Sequence, residues 1–167
     1  MVAGVAVPSL RDFNNTQSVD NAASQLMNVL NRAQSSARNR IQCPINDEVA
    51  TKWQVNLNLS GTSDTYSLVT FCESTPTTAQ TVLTSPFVAN SNSATQLRAE
   101  TEISPDGCGT SSGQGVNLSI FFANQQFSYQ CNGDVVQTTR RLKIKVLDAS
   151  NKSKTVVIEP GGVIRSE

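Results

Sequence analysis

The sequence predicts an α+β fold, a long N-terminal α-helix packed on antiparallel β-sheet. Three observations carry that expectation. Apolar residues recur at three- and four-residue steps as far as Ala37. After Pro44 the pattern changes to strict alternation, and polar, turn-rich stretches separate the alternating runs. The 167 residues suit one domain, long enough to bury a real core.

The helix comes first, over residues 9 to about 41. Val19, Ala22, Ala23, Leu26, Leu30, Ala33 and Ala37 form a narrow apolar stripe, small at its C-terminal end, which permits close packing on a sheet. The stripe fades before Val19, where "NNTQS" is polar all round. A helix amphipathic only in its second half is expected to project its first half beyond the domain. Ser9 with Asp12 has the form of a capping signature, so a fresh start at Ser9 competes with a continuous helix kinked at Pro8. Arg38, Arg40 and Pro44 mark the far end. Residues 1–41 are thus assigned to the helix and 42–167 to a β-rich domain.

The strands follow in order. "KWQVNLNLS" (52–60) places Trp53, Val55, Leu57 and Leu59 on one face, and with "TYSLVTFC" (65–72) it reads as a hairpin across "GTSD". Trp53 is expected to pack in the core against the helix. "QTVLTSPFV" (80–88) and "LRAETEI" (97–103) are weaker strands. "VNLSIFF" (116–122) and "QFSYQC" (126–131) make a second hairpin. "RRLKIKVLD" (140–148), "SKTVVIEP" (153–160) and "GVIR" (162–165) close the chain, giving seven to nine strands. "SPDGCGTSSGQG" (104–115) lacks the Lys-Ser/Thr ending and the following helix of a phosphate-binding loop, so it reads as a surface loop tethered at Cys108.

Composition narrows the function classes. There is no His, which removes the commonest general base, triad member and metal ligand at once. No nucleophile motif or metal-ligand spacing is present, so no catalytic residue, metal or cofactor is expected and the chain reads as non-enzymatic. Thirteen basic residues balance thirteen acidic ones, so no global charge announces a partner. Cys43, Cys72, Cys108 and Cys131 include no C-x-x-C pair and have no His to complete a zinc set. An even, widely spaced set predicts two disulfides in an oxidising compartment, against an alternative of four buried thiols. Three pairings exist, and pairing in chain order closes the shorter loops.

Charge is uneven along the chain. Residues 140–167 hold Arg140, Arg141, Lys143, Lys145, Lys152, Lys154 and Arg165 against Asp148, Glu159 and Glu167, a balance of +4, while residues 1–139 carry −4. In "RRLKIKV" the apolar Leu142, Ile144 and Val146 face one side, and Arg141, Lys143 and Lys145 face the other. A basic stripe on a hairpin suits phosphate contacts along a nucleic-acid backbone. The competing explanation is a solvated face whose cations keep a sheet edge from aggregating.

The opening "GVAVPSLRDF" (4–13) resembles the junction of the type IV pilin-like superfamily, where an apolar helix ending like "AIAVPS" meets a polar, amphipathic half. "AASQLMNVLNRAQSSARNR" (22–40) is similar to the helix of the minor-pilin and pseudopilin H group, the FimT/FimU-like proteins, with its "L…AR.EA.KR" cadence. "LKIKVLDASNKSKTVVIEPGGVIR" (142–165) looks like that group's final hairpin. The resemblance implies a pilin-like fold and a chain whose residues 1–8 are the stub of a membrane-inserting helix, with the prepilin cleavage site upstream of Met1. It implies assembly or priming of a type IV pilus or type II secretion pseudopilus. The partners would be other pilin-like subunits, minor pilins, pseudopilins and the major pilin. It also implies an inner-membrane anchor, a periplasmic domain and later a place in the filament, with the present chain soluble. The alternative it offers is a tip pilin that binds double-stranded DNA during uptake, through a basic C-terminal region ending in Gly-Arg-x-Arg. Here Gly162 and Arg165 match that ending, and Val163 stands where the first Arg would be.

Overall fold

A computed structural model describes residues 6–43, 48–59, 65–72, 79–86, 98–102, 116–123, 126–132, 141–147 and 152–167. Helix α1 runs from Ala6 to Arg38. It therefore starts three residues before Ser9, and Pro8 sits in its first turn, where a missing N–H breaks no intrahelical bond. At the other end Arg40 takes a left-handed conformation (φ 48°) and the Ile41 amide reaches back to the Ser36 carbonyl at 3.1 Å. That 6→1 bond around a left-handed residue is a Schellman stop, so the helix ends at Arg38 rather than near Ile41.

Nine strands follow among the described residues: β1 (Ala50–Leu59), β2 (Thr65–Cys72), β3 (Ala79–Pro86), β4 (Arg98–Glu102), β5 (Val116–Ala123), β6 (Gln126–Cys131), β7 (Leu142–Leu147), β8 (Ser153–Ile158) and β9 (Ile164–Ser166). They form two antiparallel sheets, one ordered β3-β2-β1-β5-β6 and one ordered β4-β7-β8-β9. The expected hairpins β1–β2 and β5–β6 both form, with β1 and β5 pairing to join them. The expected "GTSD" turn and the 104–115 loop lie outside the described residues.

Alternation decides which face goes inward. Register sets Phe122, Trp53 and Thr70 in one row, Ile120, Val55 and Leu68 in the next, and Leu118, Leu57 and Tyr66 in a third. All nine are buried. In the second sheet Leu142 pairs with Ile158 and Ile144 with Val156, again all buried. The helix stripe Val19, Ala22, Ala23, Leu26, Leu30 and Ala33 is buried in the same cluster, and α1 touches β1 and β5 of one sheet and β7, β8 and β9 of the other. Small side chains at 22, 23 and 33 let the backbone approach both sheets, while Leu26 and Leu30 each contribute about 1.5–3 kcal/mol by burial. The result is one helix packed on two antiparallel sheets around a shared core.

Candidate functional site

The basic residues of the C-terminal third are the one candidate site that the sequence offers, and the sheet divides them between two faces. Lys143 and Lys145 alternate with buried Leu142, Ile144 and Val146, so they point away from the helix. Arg165 joins that outer face, because register places Glu102, Lys143, Val157 and Arg165 in one row across β4, β7, β8 and β9. Val157 is buried in that row, between long side chains of a kind that cover apolar surface while their heads stay wet. Lys154 pairs in register with Val146 and therefore lies on the opposite, helix-facing side. Its Nζ meets the Asp20 carboxylate of α1 at 2.7 Å. Lys152, just before β8, donates to Thr16 Oγ1 of α1 at 3.1 Å. Arg140 lies outside the described residues.

Carboxylates accompany the outer-face cations. Glu159 accepts from Arg141 Nε at 2.9 Å and from Arg165 at 3.1 Å, and Arg165 also meets Glu167 at 2.7 Å. The Arg141 hydrogen bond, helped by Arg165, holds the Glu159 carboxyl below its ordinary range. Register sets Glu100 across from Lys145 and Glu102 across from Lys143. Part of the positive charge legible in residues 140–167 is thus met in space by acids of the same run, Glu159 and Glu167. Exposed pairs of this kind set charge pattern more than stability.

The turn between β8 and β9 is fastened to the helix. Gln34 Nε2 donates to the Gly162 carbonyl, and the Gly162 amide closes a turn on the Glu159 carbonyl at 2.7 Å. Gly162 has φ 78°, and a Cβ there would stand 2.5 Å from Gln34 Nε2, so glycine is required for both conformation and space. Val163 beside it is exposed.

The outer face of the five-stranded sheet is different in kind. Asn56, Gln54 and Ser119 close a hydrogen-bonded set: Gln54 Nε2 donates to Asn56 Oδ1 and, at 3.2 Å, to Ser119 Oγ, which donates to Asn56 Oδ1 at 2.9 Å. Beside them Lys52 Nζ lies between the Phe71 and Phe121 rings, 4.1 and 4.6 Å from their centroids. Burial pushes the Lys52 ammonium down from its ordinary value.

Cys43 is bonded to Cys72, with Cα atoms 6.1 Å apart, tying the chain just past the helix to the end of β2. Cys131 is also disulfide-bonded, and Cys108 lies outside the described residues. Among the described residues no group of three or more His, Cys, Asp or Glu is placed to hold a metal ion, and no helix is long and apolar enough to cross a membrane.

Sequence reasoning found the cations on β7 but missed what faces them. Asp20 lies 134 residues before Lys154 and Gln34 lies 128 before Gly162, separations that no local pattern encodes. Comparison with known protein families, with curated proteins and with solved structures found no match.

Proposed function

We propose that the chain is the sheet-bearing part of a minor pilin or minor pseudopilin, a non-enzymatic subunit that acts in assembly or priming of a type IV pilus or type II secretion pseudopilus. The observation that carries this reading is the use of α1. The helix has 33 residues, which extend about 50 Å, and among its residues of described burial, from Thr16 onward, the buried apolar stripe runs from Val19 to Ala33, about 21 Å. The reading assigns the N-terminal turns, Ala6 to Gln17, to packing against the helices of neighbouring pilin-like subunits. The Cys43–Cys72 bond supports an oxidising, periplasmic setting. The likeness of residues 4–13 and 142–165 to the minor-pilin group supports the same assignment.

A photo-crosslinking residue in place of Gln17, in cells that make the protein, tests it. Cross-links to pilin-like membrane proteins are expected. Recovery of the monomer alone, with the disulfide formed and the chain folded, would sink the assembly reading.

DNA uptake stands second. Lys143, Lys145 and Arg165 share an outer face, which favours phosphate contacts, but Glu159 and Glu167 offset Arg165 there. Lys154 and Lys152 turn to the helix. Titration with a short DNA duplex at low and moderate salt separates the two readings. Binding that weakens steeply with salt and disappears on reversing Lys143 and Lys145 would promote the DNA reading.

A further inference from the structure

We propose that the outer face of the five-stranded sheet is a protein-docking surface, centred on Lys52, that takes a carboxylate set among apolar side chains on a neighbouring subunit. The inference rests on the assembly reading and names a contact face for it. The five strands of this sheet carry a single charged residue, Lys52, whereas the four strands of the other sheet carry seven. An ordinary solvated surface mixes many charges of both signs. Loss of charge with aromatic side chains kept is the composition of an interface centre.

The local geometry singles out Lys52. Trp53 beside it is buried in the helix-facing core, so alternation turns Lys52 outward. The β1–β2 pairing is irregular between Ala50 and Lys52, and Thr51 Oγ1 donates to the Phe71 carbonyl at 3.1 Å across that step. Past it Lys52 stands directly opposite Phe71, and Phe121 lies on the other flank, opposite Gln54. Lys52 Nζ is 4.1 Å from one ring centroid and 4.6 Å from the other. Both rings are half-buried, and Val49, just before β1, is 44% exposed. Among the described residues no carboxylate forms an ion pair with Lys52. The ammonium thus bears the cost of partial burial with only ring faces against it. Gln54, Asn56 and Ser119 hydrogen-bond one another and form a polar rim beside it.

The charge pattern selects the occupant. One cation on a neutral face repels a basic surface. It also gives a nucleic acid too few contacts, because that affinity grows with the number of phosphates neutralised. A single carboxylate matches it. When the two surfaces close and water leaves, the attraction between Lys52 and that carboxylate strengthens, while Phe71 and Phe121 gain apolar contact.

A photo-crosslinking residue in place of Ala79, in cells that make the intact protein, tests the proposal. Ala79 is exposed and shares a row with Phe71 and Lys52. The expected result is a cross-link to a pilin-like subunit, lost on Lys52→Glu and kept on Lys52→Arg, with the Gln17 cross-link present throughout. Lys52→Gln disturbs the strand less and should weaken the Ala79 cross-link if Lys52→Glu does not fold. Reversing the charge of the acid on the cross-linked neighbour should restore the contact beside Lys52→Glu. Cross-links from Gln17 with none from Ala79 would overturn the docking face and leave the assembly reading standing. An Ala79 cross-link indifferent to the charge of Lys52 would overturn it as well. No cross-link from either position would remove the assembly reading, and the docking face with it.

Discussion

The five-stranded sheet meets α1 through β1 and β5 with apolar rows, and its outer face is dressed mainly in amides and hydroxyls with Lys52 shielded between two rings. The four-stranded sheet meets the same helix through β7, β8 and β9, but adds polar ties: Lys154 to Asp20, Lys152 to Thr16 and Gln34 to the Gly162 carbonyl. Its outer face is charged. The difference teaches that one helix can be held by two chemistries. The first attachment is indifferent to salt, and the second responds to it.

Breaking what the two sheets share should have the largest effect. Leu26→Ala removes a fully buried side chain from the common core and should cost about 2–5 kcal/mol in chemical denaturation. Next comes a covalent feature of the first sheet. Replacing Cys43 and Cys72 together by Ser frees a 29-residue separation and should cost about 3–4 kcal/mol, read as a lower midpoint with a steeper dependence on reductant lost. In the second sheet, Gly162→Ala forces a side chain into a left-handed position against Gln34 and should cost about 1–2 kcal/mol. Adding Gln34→Ala should return only the steric part, so a double-mutant cycle that shows full rescue would contradict the conformational share.

The smallest effects sharpen the contrast in electrostatics. Asp20→Ala should cost about 0.2–1 kcal/mol at low salt and less at high salt, because both partners are partly solvated. Glu159 has its carboxyl held low by Arg141 and Arg165. Its stabilising contribution is therefore complete above the ordinary carboxyl pKa and fades as pH falls through the lower folded value. Amide exchange in β8 and β9 should accelerate over that acidic window while β1 and β5 stay protected. Glu159→Gln should remove the pH dependence of the difference. Equal acceleration in both sheets would mean that the two sheets do not open separately.

Legibility in the sequence follows the range of each interaction. The stripe Val19 to Ala33 and the alternating Trp53, Val55 and Leu57 were readable because period and burial are local, and all are buried as expected. The β6 strand matches its expected bounds, 126–131, since both ends carry turn residues. The Cys43–Cys72 bond agrees with pairing in chain order. Of the two helix starts that the sequence leaves open, a fresh one at Ser9 and a helix continuous through Pro8, the structure has the helix running through Pro8 from Ala6, because a first helical turn accepts proline. The division of the strands into two sheets was not readable, because it depends on β5 returning to β1 across more than fifty residues. The split of the basic run was hidden for a related reason: Lys143 and Lys154 lie on opposite faces only once the β7–β8 register is known.

The bond between Cys43 and Cys72 also sets how the molecule would carry tension. A pull transmitted along α1 reaches Cys43 and can pass through sulfur directly to the far end of β2. The chain between the two cysteines, including all of β1, is then off the line of force. About 100 Å of contour, 29 residues at roughly 3.4 Å each, stays hidden from extension while the bond is intact. Under reducing conditions the same pull would have to peel β1, the strand that joins the two hairpins of its sheet. The disulfide is therefore a mechanical short circuit, and single-molecule stretching with and without reductant should differ by that length.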